Sequence, residues 1–261
     1  MTVPYYDLGT RMLEEAARQS TPVVLLDTYL RGVQPEIGAY ENYVAFVGPS
    51  NARIGYSIAD FLFNEQPESR VAALMGQAGH FTGIQRAKGL EYALRKHKSV
   101  RCVAKVNCDF TREDGRKACA ALLDDHPEVN AVWTMTDLNA VGAIDAIKQC
   151  GKVPGRDILV VGMDLDEENI SLVEKGEQLC DASAHWMQAG LGLIVLHDVL
   201  RGCTIPYQRA IIKLNLVFLT AEQVKSYTQS LTGDGLLPFD FRLHSQVFNP
   251  SAQVGQFGME V

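Results

Sequence analysis

The sequence predicts an α/β protein built on doubly wound parallel sheets. Short apolar runs alternate with amphipathic stretches along most of the 261 residues. The runs are continuous rather than alternating in polarity, as strands covered on both faces require. Strand-like and helix-like segments succeed one another singly, the pattern of βα units.

In order, residues 8–20 read as a helix, followed by the strand PVVLLD (22–27) and a long turn-rich stretch, LRGVQPEIGAYEN (30–42). The strand YVAFV (43–47) leads to a helix over 52–64, with Ser50 or Asn51 as its cap and Ile54, Ile58, Phe61 and Leu62 on one face. The strand VAALM (71–75) runs through a glycine-broken loop into a helix over 82–97. Then come VRCVAKV (100–106), a helix over 112–126 stopped by Pro127, and AVWTM (131–135). A helix over 138–150 takes Asp137 as its cap and ends at Gly151. ILVVGMD (158–164), a helix over 167–177, CDASAH (180–185), a helix over 187–201 and IIKLNLVFL (211–219), read as one strand, complete the series. From about Ser226 the periodicity is lost, and an irregular extension is expected. No internal repeat is present.

Composition narrows the function classes. The chain is 47% hydrophobic and 21% charged, with a formal net charge of −7. Its Lys and Arg are scattered without a basic stripe, which argues against direct nucleic-acid binding. No apolar run reaches the roughly 18 residues of a membrane helix. The six cysteines form no CxxC and no zinc spacing, so buried thiols are expected, with a Cys102–Cys108 bridge the alternative. No metal site and no cofactor is expected. The first residues lack the basic and apolar regions of an export signal, so the chain as written is expected in the cytoplasm, and in the periplasm if the full-length gene supplies such a signal.

In open α/β sheets ligands bind beyond the carboxyl ends of the strands. Asp27, Arg86, Phe110, Thr136, Asp137, Asp164 and His185, with Trp186 beside it, follow those ends. An arginine there can donate a two-pronged hydrogen bond, carboxylates can accept from hydroxyls, and a ring can stack on a sugar face. This mixture suits a polyhydroxylated ligand. It suits a nucleotide less, because no GxGxxG or GxxxxGK[ST] cradle follows a strand. No GxSxG, no HExxH and no nucleophile–base pairing is present, and no catalytic residue is assigned. Singly, each residue has a plainer reading: Asp137 a helix cap, Arg86 an internal ion-pair partner, Phe110 and Trp186 core, His185 a satisfied core histidine.

The runs VAALMGQAGHFTGIQRAKGLEYAL and CDFTREDGRKACAALLDDHPEVNAVWTMTDLNAVGAIDAIKQCG, with ILVVGMD and the segment ending in AHWM, resemble the periplasmic sugar-binding proteins of the type I fold, the ribose-binding protein group. PVVLLDTYL and YVAFVGPSNARIGYSIADFL extend the resemblance, which covers roughly residues 4–227. It implies two doubly wound parallel-sheet lobes with a sugar or similar polyol held in the cleft. It implies ligand contacts from Asp27, Arg86, Phe110, Asp164 and His185, with Thr136-Asp137 where the family usually has Asn-Asp. Thr28 stands where the family usually has Arg, and His185 where it often has glutamine.

The resemblance also implies that three strands of the first lobe are missing, the chain entering at what corresponds to the family's third helix (6–19). A partner chain could supply that half. The expected division is an incomplete first lobe of 1–53 and 186–225, a complete second lobe of 54–185, and an extension over 226–261. The implied function is solute capture for an ABC transporter or a sensor kinase, without catalysis and through a membrane permease or kinase partner, as monomer or dimer. The alternative is the ligand-sensing effector domain of a lactose-repressor-type regulator, which shares the fold.

Overall fold

A computed structural model describes residues 1–2, 5–30, 32–33, 35, 38, 40–183, 185, 187–206, 210–231 and 239–252. In chain order its elements are α1 (Tyr6–Arg18), β1 (Val23–Leu26), β2 (Tyr43–Gly48), α2 (Asn51–Glu65), β3 (Arg70–Leu74), α3 (Phe81–Lys96), β4 (Arg101–Val106), α4 (Arg112–Asp125) and β5 (Ala131–Thr134). They continue with α5 (Asp137–Gln149), β6 (Leu159–Val161), α6 (Glu167–Glu174), β7 (Cys180–Ser183), α7 (Gln188–Leu200), β8 (Ile211–Lys213), β9 (Val217–Thr220) and α8 (Ala221–Ser230), before a 3-10 turn at Phe241–His244. The contacts divide the chain into two units, one of Met1–Ser50, Ala184–Leu216 and Thr232–Val261, the other of Asn51–Ser183 and Val217–Leu231.

The first unit holds a three-stranded parallel sheet in the order β1-β2-β8. Val24, Ala45, Val47 and Ile212 pack on one face against Leu191 and Val195 of α7, while Leu13 of α1 joins Val23, Leu25 and Phe46. On the outer side of β1, Thr2 bridges Leu26 in parallel, and the Met1 ammonium donates to the Val24 carbonyl at 2.7 Å. After α8 the chain returns to this unit. Phe239 and Phe241 pack against its core, and the Asp198 carboxylate accepts from Ser245 Oγ at 2.5 Å and from the Gln246 amide at 2.6 Å.

The second unit holds a six-stranded sheet in the order β4-β3-β5-β6-β7-β9, parallel except for β9, which runs antiparallel to β7. β3, β5 and β7 are almost wholly buried, whereas the edge strand β4 leaves Arg101 and Lys105 exposed. The order reverses between β3 and β5, so the switch point of this sheet lies beyond the carboxyl ends of those two strands. Glycines allow the helices of each pair to touch backbone to backbone. A Cβ on Gly55 of α2 would stand 2.2 Å from the Arg86 carbonyl oxygen of α3, and one on Gly142 of α5 2.2 Å from that of Arg112 of α4.

Three expectations are corrected here. The run 211–219 is two strands, because Asn215 and Leu216 carry the chain from the first sheet to the second. Residues 217–231 therefore belong with the second unit, and 221–230 form a helix opened by a Thr220–Gln223 capping box rather than an irregular tail. The cap of α5 is Thr136, whose hydroxyl accepts from the Asn139 amide, while Asp137 is the first helical residue. Cys102 and Cys108 are free thiols, as are the other four. Parts of the 30–42 stretch, Trp186 and much of the C-terminal extension lie outside the described residues.

Gly55→Ala should lower stability by roughly 1–3 kcal/mol, because the new methyl meets backbone that cannot rotate away. Urea unfolding would read this as a lower midpoint with an unchanged slope.

Candidate functional site

Each unit gathers polar groups at the carboxyl ends of its strands. In the second, Arg86 lies in the second turn of α3, which Gly76 and Gly79, both at positive φ, let the chain enter directly from β3. Its side chain is 3% exposed. Nε donates to Asn51 Oδ1 at 3.2 Å, Nη1 to the Met135 carbonyl at 2.6 Å and Nη2 to Asp164 Oδ1 at 2.9 Å. The guanidinium thus ties the start of α2, the end of β5 and the loop after β6 to one point. Asp164 keeps a third of its side chain exposed. It sits at φ 143° and Leu165 at φ 66°, a region that non-glycine residues enter rarely.

That loop is held from below. Asp137 and Asp181 are fully buried. Asp137 Oδ2 accepts from the Asp166 amide at 2.8 Å, and Asp181 Oδ1 from the Leu165 amide at 3.3 Å. Gln178 Nε2 donates to Asp181 Oδ2 at 3.0 Å, and Asn169 Nδ2 to Gln178 Oε1 at 2.8 Å. Asn169 begins an Asn-Ile-Ser sequon, but its amide is 1% exposed and spent in this network. Burial raises the carboxyl of Asp137 well above its usual range, with Asp181 and Asp164 adding repulsion. Burial likewise raises Asp181, to about 6. Burial and Asp164 raise Asp166.

Phe110 is half-buried, its ring edge-on to His80 at 5.0 Å. It covers Gly76, where a Cβ would be 2.4 Å from ring carbon Cε1. Asn139 fixes the loop on both sides of it, donating to the Asp109 and Thr111 carbonyls at 2.8 and 3.2 Å. In the first unit, Asp27 ends β1 at φ 63°, and His185 Nε2 lies 3.2 Å from Asp27 Oδ1. Both side chains are mostly buried.

The expected residues therefore separate into groups. Arg86 and Asp164 meet, Asp27 and His185 meet, and Phe110 stands at its strand end on a fixed loop. Thr136 is half-buried and engaged as a cap, and Asp137 lies beneath the surface. The reading from sequence passed over Asn139, Asn169, Gln178 and Asp181, and it saw Asn51 only as a cap. For Asp181 a signal existed, since an aspartate inside a buried strand must find partners. Among the described residues no group of three or more His, Cys, Asp or Glu could hold a metal ion, and no helix is long and apolar enough to cross a membrane.

A doubly wound sheet with polar groups at its carboxyl ends is common to many families. A family profile described as periplasmic binding protein domain matches residues 6–202. The chain belongs to this family. Among relatives of this periplasmic binding protein, the galactofuranose-binding protein YtfQ of Escherichia coli K12 is 26% identical over 210 residues, covering 78% of this chain and 64% of that protein. The ribose import binding protein RbsB of Haemophilus influenzae is 28% identical over 189 residues, covering 72% and 60%. The HTH-type transcriptional regulator CelR of Thermobifida fusca is 30% identical over 137 residues, covering 52% and 40%. The chain thus spans less than two thirds of the length of these relatives. A periplasmic sugar-binding protein from Pseudomonas fluorescens superposes with a TM-score of 0.82 at 21% identity, covering 95% of this chain and 76% of that one, a likeness of fold. The type I periplasmic binding protein fold with two parallel-sheet lobes is therefore the fold of this chain.

Removing the guanidinium takes one charged donor from the Met135 carbonyl and one from the Asp164 carboxylate. Arg86→Met should cost about 3–5 kcal/mol in denaturant unfolding. Arg86→Lys should recover only part of that, because an ammonium cannot reach three separated acceptors as a planar fork does.

Proposed function

We propose that this periplasmic binding protein captures a sugar or similar polyol, without catalysis, for an ABC transporter. The observation that carries the proposal is the Arg86–Asp164 pair, a carboxylate held in one orientation at the switch point of the sheet with a third of its side chain open to solvent. An ionised carboxylate so fixed accepts from hydroxyls at little ordering cost. Phe110 offers a ring for the apolar face of a sugar, and Asp27 with His185 offers a second polar pair at the strand ends of the first unit. The names of YtfQ and RbsB support a furanose or pentose as ligand. A membrane permease is the partner this reading requires and a sensor kinase a further one, with the periplasm as location if the full-length protein carries an export signal.

The match to CelR supports a second reading, the effector domain of a transcription regulator. The two share the ligand site and part on what precedes this segment in the full-length gene, an export signal or a helix-turn-helix.

Isothermal titration with pentoses, hexoses and polyols tests the capture itself. At least one should give saturable heat, and Asp164→Asn should weaken it by about tenfold or more, the loss of one charge-assisted hydrogen bond. A folded sample that gives no heat with any of them, or an Asp164→Asn variant that binds equally well, contradicts the proposal.

A further inference from the structure

The acids beneath Asp164 pose a problem of hydrogen-bond arithmetic. Asp137 Oδ1 is buried, and no donor reaches it among the described residues. It is confined on the other side by Gly162, where a Cβ would be 2.5 Å from Asp137 Oδ1 and 2.5 Å from Gln178 Nε2. Asp181 lies within hydrogen-bonding reach of Asp137 and is equally buried. The remaining donors are committed. The Gln178 amide nitrogen serves Asp181 and the Cys180 carbonyl, Asn169 serves Gln178 and the Asp137 carbonyl, and the Leu165 and Asp166 amides take one carboxylate each. Two ionised carboxylates in one buried site would each oppose the other's charge, and one oxygen would have no donor from the described residues. A single proton resolves both difficulties, turning the orphan Oδ1 into a donor.

We infer that Asp137 and Asp181 share one proton, and that the hydrogen bond it makes is a positioning device for Asp164. The two acids grip the Leu165 and Asp166 amides, which fixes the loop whose left-handed backbone turns the Asp164 carboxylate outward. The shared proton stands on the geometry of the cluster alone. Its consequence for binding rests on the reading of Asp164 as a ligand acceptor.

Among the described residues no basic side chain acts directly on the pair. Asp164 and Asp166 face it from the loop after β6, and Arg86 of α3 pairs with Asp164. From α8 Tyr227 feels the charge of Asp181, and from the end of α2 Glu65 adds repulsion at Cys180 beside it. Both acids titrate above their ordinary value of 3.8 in the folded chain. Between that value and the raised ones the folded state holds more protons than the unfolded state. The contribution to stability is therefore full in acid and is lost as pH rises, for Asp181 through about 6 and for Asp137 through its own raised value.

Carbon-13 NMR of the aspartate side-chain carboxyls in the ligand-free wild-type chain tests the proton without any variant. One carboxyl should stand at the protonated position at pH 7 and vanish in Asp137→Asn. That variant carries its own donor at the orphan position while keeping an acceptor for the Asp166 amide. Its thermal midpoint should gain on wild type by about 3 °C or more between pH 6 and 9. Its affinity for the bound sugar should stay flat over the same range, where wild type weakens about threefold or more. A full set of ionised carboxylates at pH 7, or a midpoint difference independent of pH, overturns the inference. A protonated carboxyl with no sugar bound sinks the reading of Asp164 instead, and the positioning role with it, while the proton itself stands.

Discussion

One buried guanidinium constrains the carboxyl ends of the six-stranded sheet. Arg86 joins three segments that the chain delivers separately: the first residue of α2, the last carbonyl after β5 and the loop after β6. A charge so far from water is tolerable only because oxygen atoms surround it in a planar arrangement that matches its fork. The same demand explains the glycines around it. Gly55 lets α2 lie against the carbonyl of Arg86 itself, and Gly76 and Gly79 let the loop after β3 turn sharply enough to place the residue in the second turn of α3. Once that contact is made, the distance between the ends of β3 and β5 has little freedom, and Asp164 inherits a fixed partner.

Both units solve one problem in the same way. A parallel strand must release its last residue above the sheet, where a ligand can meet it. Asp27 after β1 and Asp164 after β6 do so with positive φ, a conformation that costs of order 1–3 kcal/mol and persists only where neighbours over-determine it. Asp27 has the Val47 carbonyl on its amide and His185 on its carboxylate. Asp164 has Arg86 on its carboxylate, with the two residues after it held by Asp181 and Asp137. At Asp27, whose φ of 63° falls in the left-handed helical region, aspartate is accepted more readily than most residues. A binding group held this way loses little further freedom when a ligand arrives.

The fold was largely legible in the sequence, because continuous apolar runs and capped amphipathic helices report directly on sheets covered on both faces. Where the reading failed, the cause was non-local. IIKLNLVFL looks like one strand, since apolarity does not reveal that Asn215 and Leu216 change sheets. Thr136 and Asp137 are both good caps, and only the path of the chain decides which hydroxyl or carboxylate meets the Asn139 amide. At the site, Arg86 and Asp164 were visible from their places after strands, but their mutual contact was not. Asp181 was passed over because a single aspartate inside CDASAH leaves the apolar pattern intact. Its meaning comes from Asp137, 44 positions earlier in the chain, and no spacing rule links the two.

The most direct measurement is a double-mutant cycle on the ligand-free protein, combining Arg86→Met with Asp164→Asn and following urea unfolding. If the guanidinium organises the strand ends, the two changes will be strongly coupled, the pair together costing about 2 kcal/mol less than the sum of the single losses. Losses that simply add would mean that Arg86 and Asp164 are stabilised independently, and the carboxyl ends of this sheet would have no common anchor.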